Sequence, residues 1–598
     1  MRTIFWASLY ALVAAQAIHA TTYDWANNGT GTLLWEVNAD WIPSTAFPVA
    51  GDTAIFDPTL GSTLTGNTIV NSGSNRSVGQ LIFNANSTGF TYQMGAALNG
   101  FSINMSPSTG PALIQVMPGA QSTILSNAGY VIPAAGLNIN VASGCTYNFS
   151  GALTGTNPIN ITGPGTVLIA NHTNNTVSNA TITGGGVLAL NAAGSFNSIN
   201  NADIINGTLQ LLSSASLPHA SIITLDGGTL DFNGHGNIIG LLKFNSGTYL
   251  SGGGSMGLNG GDTVTIDGVT IPNTCLVMRG NTNLSTSLIF NNTSFAINIV
   301  FDPTVGGTAT IAGTIQMLGT QTFNILRGTA NIDMIISSNI NGLNLTKTGP
   351  GILALTEINT YTGTTFINQG TLIVNGTIGV GTEVQVNSGA TLKGTGTISP
   401  PVTVFSNGTL SPGTSIGTQS YGSGLEIKSG GTLSIEVNDS SQTSVANVTG
   451  VAILDSGAQL QIVSDSSTYY NTTFPPFLTA TGGVQGIFVQ PLILPPNTIS
   501  NLIYTSNSVQ LQLQSLLNTS TMTGNNAALA NYLNAFPFNY FGSAGAGLFT
   551  LTGNALNQAL ESISPTRNFF TTFASLNSLF TFRLFSTRQM PFHNAKLM

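Results

Sequence analysis

The sequence predicts an all-β fold, a right-handed parallel β-helix followed by a short α-helical segment at the C-terminal end. Two observations predict it. Short segments in which apolar and polar residues alternate recur along the chain, mostly after a glycine, and charged residues make up only 5% of the 598 residues. Because like charges stacked about 4.8 Å apart would repel one another, stacked coils suit a surface built from Asn, Ser and Thr.

Period-two alternation predicts the individual strands. Within 433–438, Leu433, Ile435 and Val437 are apolar and the residues between them are polar, and successive side chains of a strand point to opposite faces. A loose Gly-x-Leu pattern of this kind recurs in segments 206–212, 227–232, 388–394, 406–410, 430–437 and 456–463. Self-similarity at intervals of about 20–50 residues indicates a repeat architecture. The residues expected to point inward are Leu188, Leu190, Leu353, Leu355, Leu372, Val374, Leu433 and Ile435.

Two architectures fit short alternating strands, a stack of coils or a string of β-sandwiches. The irregular spacing and the lack of clear linkers favour coils, which we expect over residues 61–515. Residues 21–60 are expected to form an N-terminal cap. Trp25, Trp35 and Trp41 are concentrated there, and terminal repeats of solenoids are usually atypical.

The last part of the chain, residues 516–598, is expected to be a helical linker. Segments 525–536 and 552–565 have apolar residues at helical spacing. The apolar residues beyond them are Phe569, Phe570, Phe573, Leu576, Leu579, Phe580, Phe582, Leu584 and Phe585. We expect residues 525–598 to be an orphaned linker with an exposed apolar face. The alternative is a cap that folds back onto the last coils.

Residues 1–20 have the pattern of a secretory signal peptide. Arg2 supplies a positive charge, a largely apolar stretch covers 4–15, and small residues follow it. Signal cleavage is predicted after Ala17 or Ala20, and export is expected to use the Sec machinery. The alternative, a buried N-terminal helix, is disfavoured by the short apolar stretch.

Charge, cysteine and histidine content exclude several classes of partner. The net charge is −8 without a basic stripe, so nucleic acid is not expected as a partner. Cys145 and Cys275 could form one disulfide, but the sequence favours two buried thiols. His172, His219 and His235 stand alone, without the spacing of metal ligands, and are expected on the surface or in turns. No cofactor is predicted.

β-Solenoids also host polysaccharide lyases and hydrolases, which need clustered carboxylates. The candidates are Asp226 and Asp231 with His235, and Asp262 with Asp267. Asp231 alternates with apolar neighbours and is expected to face outward, whereas Asp226 is expected in a glycine-flanked corner. Since turn aspartates are common for conformational reasons alone, we predict that these residues are structural and that the protein is not an enzyme.

Several short motifs are absent or incomplete. Residues 454–457, LDSG, lack the flanking residues of a serine-protease GDSGS motif, and GGDTVTID at 260–267 is only a distant echo of a calcium-binding repeat. Neither Arg279-Gly280-Asn281 nor Arg327-Gly328-Thr329 is an RGD sequence. These segments are therefore interpreted as turns and strands.

Four stretches of the chain resemble bacterial autotransporters. Residues 345–376, LTKTGPGILAL followed by NTYTGTTFINQGTLIVNG, resemble the autotransporter-associated β-strand repeat of passenger domains. The opening over 25–57 resembles the start of many such proteins, and 468–488 resembles the last passenger segment. The helical stretch 525–580 is similar to the linker that leads into the translocator barrel.

The resemblance implies a passenger presented at the cell surface by an outer-membrane barrel. The residues after 525 show no series of alternating strands, so the barrel is expected to be missing, through truncation or because a separate translocator supplies it. We expect an adhesin-like or structural surface protein, located outside the cell or on the outer membrane, or in the periplasm if no barrel is supplied. The alternatives are a polysaccharide lyase or hydrolase and a surface-layer protein. Ligands on host or neighbouring cells are not identified by the sequence.

Overall fold

The computed structural model describes much of the chain between Thr21 and Ile563. The described residues are 21–25, 31–44, 46–56, 68–71, 74–84, 92–94, 102–118, 123–170, 175–191, 199–214, 216–266, 268–290, 297–464, 469, 472–490, 492–495, 498–517, 519, 522–534, 548, 551 and 553–563. The chain divides into two compact units, Met1–Thr365 and Phe366–Met598.

The first unit is a parallel β-solenoid in which each coil adds one strand to each of several ladders. The first ladder contains, in stacking order, Thr22–Trp25, Thr53–Phe56, Gln80–Phe83, Ala112–Val116, Leu137–Val141, Ile159–Ile161, Asn179–Ile182, Asn201–Ile204, Ile222–Asp231, Leu241–Leu250, Val269–Arg279, Ile297–Asp302, Gln321–Ile325 and Leu345–Thr348. Each strand of this ladder pairs in parallel with the strands next to it, as the sequence predicts.

Two further sets of parallel strands form the other sides of the first unit. One set contains Gly31–Leu34, Thr68–Asn71, Tyr92–Met94, Thr123–Ser126, Thr146–Phe149, Thr166–Ala170, Val187–Asn191 and Thr208–Leu211, and then Asn283–Leu284, Ala309–Ile311, Met334–Ile336 and Ile352–Leu355. The other contains Arg76–Val78, Ser102–Met105, Gly129–Val131 and Leu153–Thr154, and then Asn237–Ile239, Met256–Leu258, Leu288–Phe290, Ile315–Met317 and Ile340–Gly342. Two short strands follow in the sequence, Ile358–Asn359 and Thr365–Ile367.

The second unit has three parallel ladders of its own. The first contains Val384–Val386, Val402–Val404, Leu425–Ile427, Ala452–Leu454 and Val484–Gln485. The second contains Gly370–Val374, Ala390–Gly394, Thr409–Pro412, Thr432–Val437 and Gln459–Ser464. The third contains Thr377–Ile378, Thr397–Ile398, Thr418–Tyr421, Val445–Val448 and Thr472–Ala480. The prediction of a parallel β-solenoid is confirmed.

The core consists of aliphatic side chains stacked from coil to coil. All eight residues expected to point inward are buried. In the second unit Leu372, Leu392, Leu410 and Leu433 occupy one stack, although their spacing along the sequence is unequal. Loops of different length are therefore accommodated at the corners while the register is kept, because a slip of one residue would turn the apolar face outward.

Glycine at the corners is required by the closeness of stacked backbones. Gly228 lies above Gly207, and the following leucines, Leu230 and Leu209, pair in register. A Cβ on Gly228 would lie 2.5 Å from the Gly207 carbonyl oxygen. The Gly-x-Leu pattern thus combines a corner without space for a side chain and an inward leucine two residues later.

Replacing Gly228 by alanine is expected to lower the free energy of unfolding by about 1–3 kcal/mol, because the added methyl overlaps the neighbouring backbone. Gly236 is the matched control, since the nearest atom to its Cβ position is the Ser255 Oγ at 3.6 Å. Chemical denaturation followed by circular dichroism measures both variants. Equal stability of the Gly228 and Gly236 variants would contradict the expectation.

Asparagine side chains form hydrogen bonds between coils on the outer face. Asn160 Nδ2 donates to Asn138 Oδ1 at 2.8 Å, and Asn201 Nδ2 donates to Asn179 Oδ1 at 2.8 Å. Both pairs join residues at equivalent register positions of adjacent strands. A surface with few charges can therefore satisfy its polar groups through ladders of amides.

The last strands within residues 61–515, over which coils are expected, are antiparallel. Ser508–Ser515 runs antiparallel both to Thr472–Ala480 and to Thr498–Tyr504. A tight turn explains the reversal, since the Thr505 N–H donates to the Ser508 carbonyl at 2.9 Å. Antiparallel strands can be joined by so short a turn, whereas parallel strands need a long crossover.

A β-hairpin interrupts the first unit. Asp262–Ile266 pairs antiparallel with the start of Val269–Arg279. The apolar side of the hairpin belongs to a cluster that is separate from the coil interior. The cluster contains Leu241, Val264, Ile266, Ile271, Val277 and Val300. The hairpin thus covers an apolar outer face of neighbouring strands.

Two helices follow the last strand, α1 at Gly524–Asn534 and α2 at Gly553–Ile563. They share an apolar cluster made of Leu517, Ala530, Leu533, Leu548, Leu556 and Leu560. The helical prediction for 525–536 and 552–565 is confirmed in these bounds, but the apolar residues from Phe569 to Phe585 lie outside the described residues. Among the described helices, none has the length and hydropathy needed to cross a membrane.

Candidate functional site

The carboxylates that the sequence singles out have structural partners. Asp231 is half-buried on the strand Ile222–Asp231, between the buried Leu230 and Phe232, so its predicted outward orientation is confirmed. It accepts hydrogen bonds from Gln210 Nε2 at 2.9 Å and from the Asn233 N–H at 2.8 Å. These bonds join it to the preceding coil and to the next turn.

Asp226 is exposed, and its carboxylate accepts a weak hydrogen bond from Ser246 Oγ at 3.4 Å. It lies at an irregularity between two segments of strand, which agrees with the predicted corner. Asp226 and Asp231 thus lie on either side of this irregularity, and each carboxylate has its own hydrogen-bond partner.

The remaining predicted site residues are dispersed. His219 is exposed in a turn and His235 is half-buried after a turn, while Asp267 and His172 lie outside the described residues. Burial raises the pKa of the Asp262 carboxyl, and nearby Lys243 opposes that rise. Within the described ranges, no group of three or more His, Cys, Asp and Glu residues could hold a metal ion.

The two cysteines are buried and are not joined in a disulfide. The interpretation as two buried thiols is confirmed. Burial raises the pKa of both thiols, most strongly that of Cys275. Because the thiolate is the nucleophilic form, neither side chain is suited to covalent chemistry.

A group of buried charges in the first unit was not predicted from the sequence. The Asp333 carboxylate is fully buried and accepts two hydrogen bonds from Arg327 Nη1, at 2.9 and 3.1 Å. It also accepts the backbone N–H groups of Gly328 at 2.8 Å and Ile352 at 2.7 Å. Asp333 thus joins three segments of chain at one corner.

Lys347 follows this aspartate along the chain and points into the coil interior. It pairs in register with the inward Phe323, and it is fully buried. Its Nζ donates to the carbonyls of Thr348 at 2.8 Å and Gly349 at 2.7 Å. Burial lowers the pKa of Lys347 to about 7, although the negative charge of Asp333 acts in the opposite direction.

The glycines beside Lys347 leave room for this arrangement. Gly349 has a φ of +72°, which favours glycine, and a Cβ there would lie 2.5 Å from the Ile325 carbonyl oxygen. A Cβ on Gly351 would lie 2.5 Å from the Leu326 carbonyl oxygen. We call Arg327, Asp333, Lys347, Gly349 and Gly351 the buried repeat corner. It explains why the sequence Lys-Thr-Gly-Pro-Gly stands at this position.

An earlier coil of the same unit carries a second buried aspartate with an arginine. Asp302 is fully buried, forms an ion pair with Arg279 and accepts the Thr304 N–H at 3.0 Å. Arg279 and Arg327 stand in the two Arg-Gly sequences that were interpreted only as turns. A basic residue in a chain with so few charges was the available signal, but its partner lies 23 residues away in one case and six in the other.

The N-terminal end of the first unit is an aromatic cluster. Trp25 packs edge-on against Trp41 with ring centroids 4.8 Å apart, and Trp35 lies 5.2 Å from Trp41. Phe56 joins the three tryptophans and stacks on Phe83 at 5.1 Å. These rings are buried, and their packing supports the proposal that the segment caps the coils.

Comparison with known proteins agrees with the fold and the repeat corner. Residues 345–374 match the family model described as the passenger-associated-transport-repeat. The chain is 27% identical over 300 residues to the adhesin BmaC autotransporter of Brucella suis biovar 1 (strain 1330), a match that covers 47% of this chain and 8% of that protein. It is 42% identical over 74 residues to an extracellular serine protease of Serratia marcescens, which covers 12% of this chain and 7% of that protein. The matches therefore span less than a tenth of the length of either relative.

The chain is therefore a parallel β-solenoid that carries a repeat of the kind found in autotransporter passengers. The resemblance of residues 345–376 to the autotransporter-associated repeat is confirmed. Lys347, Gly349 and Gly351 of the buried repeat corner all lie within the matched residues.

Proposed function

We propose that this chain is an exported surface passenger that works by adhesion or as a structural stalk and has no catalytic activity of its own. The hydrogen bonds that occupy Asp231 on the outer face of its strand carry the proposal. The name of the Brucella relative, an adhesin, supports it. The adhesive surface would be the outer face of the coils, where amide ladders hold the polar side chains in a fixed array.

Proteolysis, polysaccharide cleavage and assembly into a surface layer are the three alternatives. A match to a serine protease keeps catalysis open, although it covers only 74 residues. A β-helical polysaccharide lyase or hydrolase would also need a fixed cluster of acidic and basic groups. A surface-layer protein would assemble with itself without binding cells.

Export is proposed to begin with the signal peptide at residues 1–20, through the Sec machinery, and to end at the cell surface with the help of an outer-membrane translocator. The passenger-associated-transport-repeat supports this location. Surface exposure in the native cell would be measured by proteolysis of intact cells. Protection of the chain until the outer membrane is opened would contradict surface display.

The purified mature chain is expected to bind cell surfaces without cleaving glycans. Binding would be measured on immobilised cells, and glycan cleavage by the release of reducing ends from a polysaccharide panel. Asp231→Ala is the diagnostic variant and Asp203→Ala, at another position on the outer face, is its control. Reducing ends that depend on Asp231 but not on Asp203 would overturn the proposal in favour of a glycan-active enzyme. Self-assembly without any cell binding would favour the surface-layer alternative.

A further inference from the structure

Asp52 is a buried carboxylate that forms no ion pair with the residues that the structure describes. Only 5% of the surface of this residue is exposed. Oδ1 accepts the backbone N–H of Thr21 at 2.9 Å, and Oδ2 accepts the backbone N–H of Val49 at 3.0 Å. Aspartates are rarely buried to this degree unless a positive charge accompanies them.

The backbone nitrogen of Thr21 is held in place beside this carboxylate. The Thr53 N–H donates to the Thr21 carbonyl at 2.9 Å, and the strand Thr22–Trp25 pairs in parallel with Thr53–Phe56. Trp25 then packs within the aromatic cluster. Two elements of the first unit, the first strand and the turn at Val49–Asp52, therefore bring the Thr21 nitrogen to the buried oxygen.

We propose that the signal peptide is removed between Ala20 and Thr21, and that the new α-ammonium of Thr21 is the cation that pairs with Asp52. The inference rests on the export that is part of the proposed function. In the cleavage, a peptidase of the export pathway adds water across the Ala20–Thr21 amide bond. Ala20 leaves with a carboxylate, and the Thr21 amine takes a proton to become the ammonium. Cleavage after Ala17 would leave Thr21 as a neutral amide.

This pairing makes the stability of the first strand depend on removal of the signal peptide. In the precursor, Asp52 receives a neutral N–H bond from Thr21, and in the mature chain it receives an N⁺–H bond from the same nitrogen. Charge-assisted hydrogen bonds are about twice as strong as neutral ones. The first strand, and with it Trp25, would thus be fixed more firmly once the leader has left.

Four purified chains test the pairing. Two begin at Thr21 and two retain Ile18-His19-Ala20, and each form is made with Asp52 and with Asp52→Asn. Amide hydrogen exchange of Thr22–Trp25 is the measurement. With Asp52, loss of the tripeptide is expected to slow exchange about tenfold, which corresponds to about 1.4 kcal/mol. With Asp52→Asn, the two forms are expected to exchange at similar rates.

Acetylation of Thr21 in the wild-type mature chain provides a second test that needs no substitution, and it should restore the faster exchange. Equal exchange with and without the tripeptide in the wild-type chain, or no effect of acetylation, would overturn the pairing. N-terminal sequencing of exported protein should give Thr21 as the first residue, and a start at Ile18 would overturn the cleavage site. The exchange measurements do not depend on export, so failure of surface display would leave their outcome unchanged.

Discussion

Replacing Asp333 by alanine is expected to lower the local stability of the first unit by about 2–4 kcal/mol, because two backbone N–H groups lose their acceptor and the partly exposed Arg327 loses its ion pair. The alanine would leave Arg327 beside a buried void and deprive the Gly328 and Ile352 N–H groups of their acceptor. A buried donor without a partner bears the full cost of its desolvation.

Hydrogen exchange is the appropriate measurement for Asp333, because solenoids can unfold coil by coil and a single unfolding free energy is then poorly defined. The amides of Met334–Ile336 and Ile352–Leu355, which pair as neighbours, should lose the most protection. Asp333→Asn retains an acceptor oxygen and is expected to fall between alanine and wild type.

Asp203 offers a matched control in the same unit. It lies on the strand Asn201–Ile204, and its side chain is exposed. Asp203→Ala should change protection by less than about 0.5 kcal/mol, as surface substitutions usually do. If both alanine variants lost the same small amount, the buried repeat corner would not contribute to stability as argued.

Replacing Lys347 by methionine is expected to change how stability depends on pH. The folded chain holds the Lys347 pKa at about 7 because the side chain is buried, whereas an unfolded chain has a lysine pKa of about 10.4. Between these values the unfolded state binds more protons than the folded state. The free energy of unfolding of the wild-type chain should therefore rise with pH across this window.

The expected contribution of Lys347 is about 2 kcal/mol between pH 7 and pH 9, with a slope of at most about 1.4 kcal/mol per pH unit. Well below pH 7 both states are protonated and the slope vanishes. Lys347→Met removes the titrating group but keeps a side chain of similar length in the coil. The difference between wild type and variant isolates this group from all others that titrate in the same range.

Lys393→Met is the control for Lys347, since Lys393 is only half-buried and lies 3.7 Å from Glu436 in an ion pair. The measurement is the hydrogen-exchange rate of the strand Leu345–Thr348 at several pH values. Each rate is corrected for the intrinsic pH dependence of amide exchange. A wild-type slope that persists in Lys347→Met would contradict a neutral buried lysine.

The sequence was sufficient to predict the coils because their pattern is local. Alternation with a period of two identifies the inward side of a strand, and Leu433 and Ile435 are buried as that rule requires. Gly228 could be associated with a corner from the sequence, but the reason for it, a carbonyl oxygen of the coil below, became visible only in the structure. Signals that repeat within a few residues are thus predictable one strand at a time.

The buried charges depended on contacts between coils. Lys347 lies two residues after the inward Leu345, so alternation places it on the inward side of its strand. Only the structure shows that the corner carbonyls of Thr348 and Gly349 accept its hydrogens there. Asp333 could not be distinguished from other turn aspartates in the sequence. Its contribution to stability comes from hydrogen bonds with Arg327 and with the next coil.

What the sequence alone determined was the class of fold, the inward leucines, the two helices and the autotransporter-type repeat, all of which follow from local periodicity or a contiguous motif. The tertiary structure decided where the coils give way to antiparallel strands, how the hairpin at Asp262–Ile266 covers the outer face, and which charges are buried. The physical reason is that a charge or a turn is stabilised by whatever lies beside it in space. In a solenoid that neighbour belongs to the coil above or below, and variable loops hide its position in the sequence.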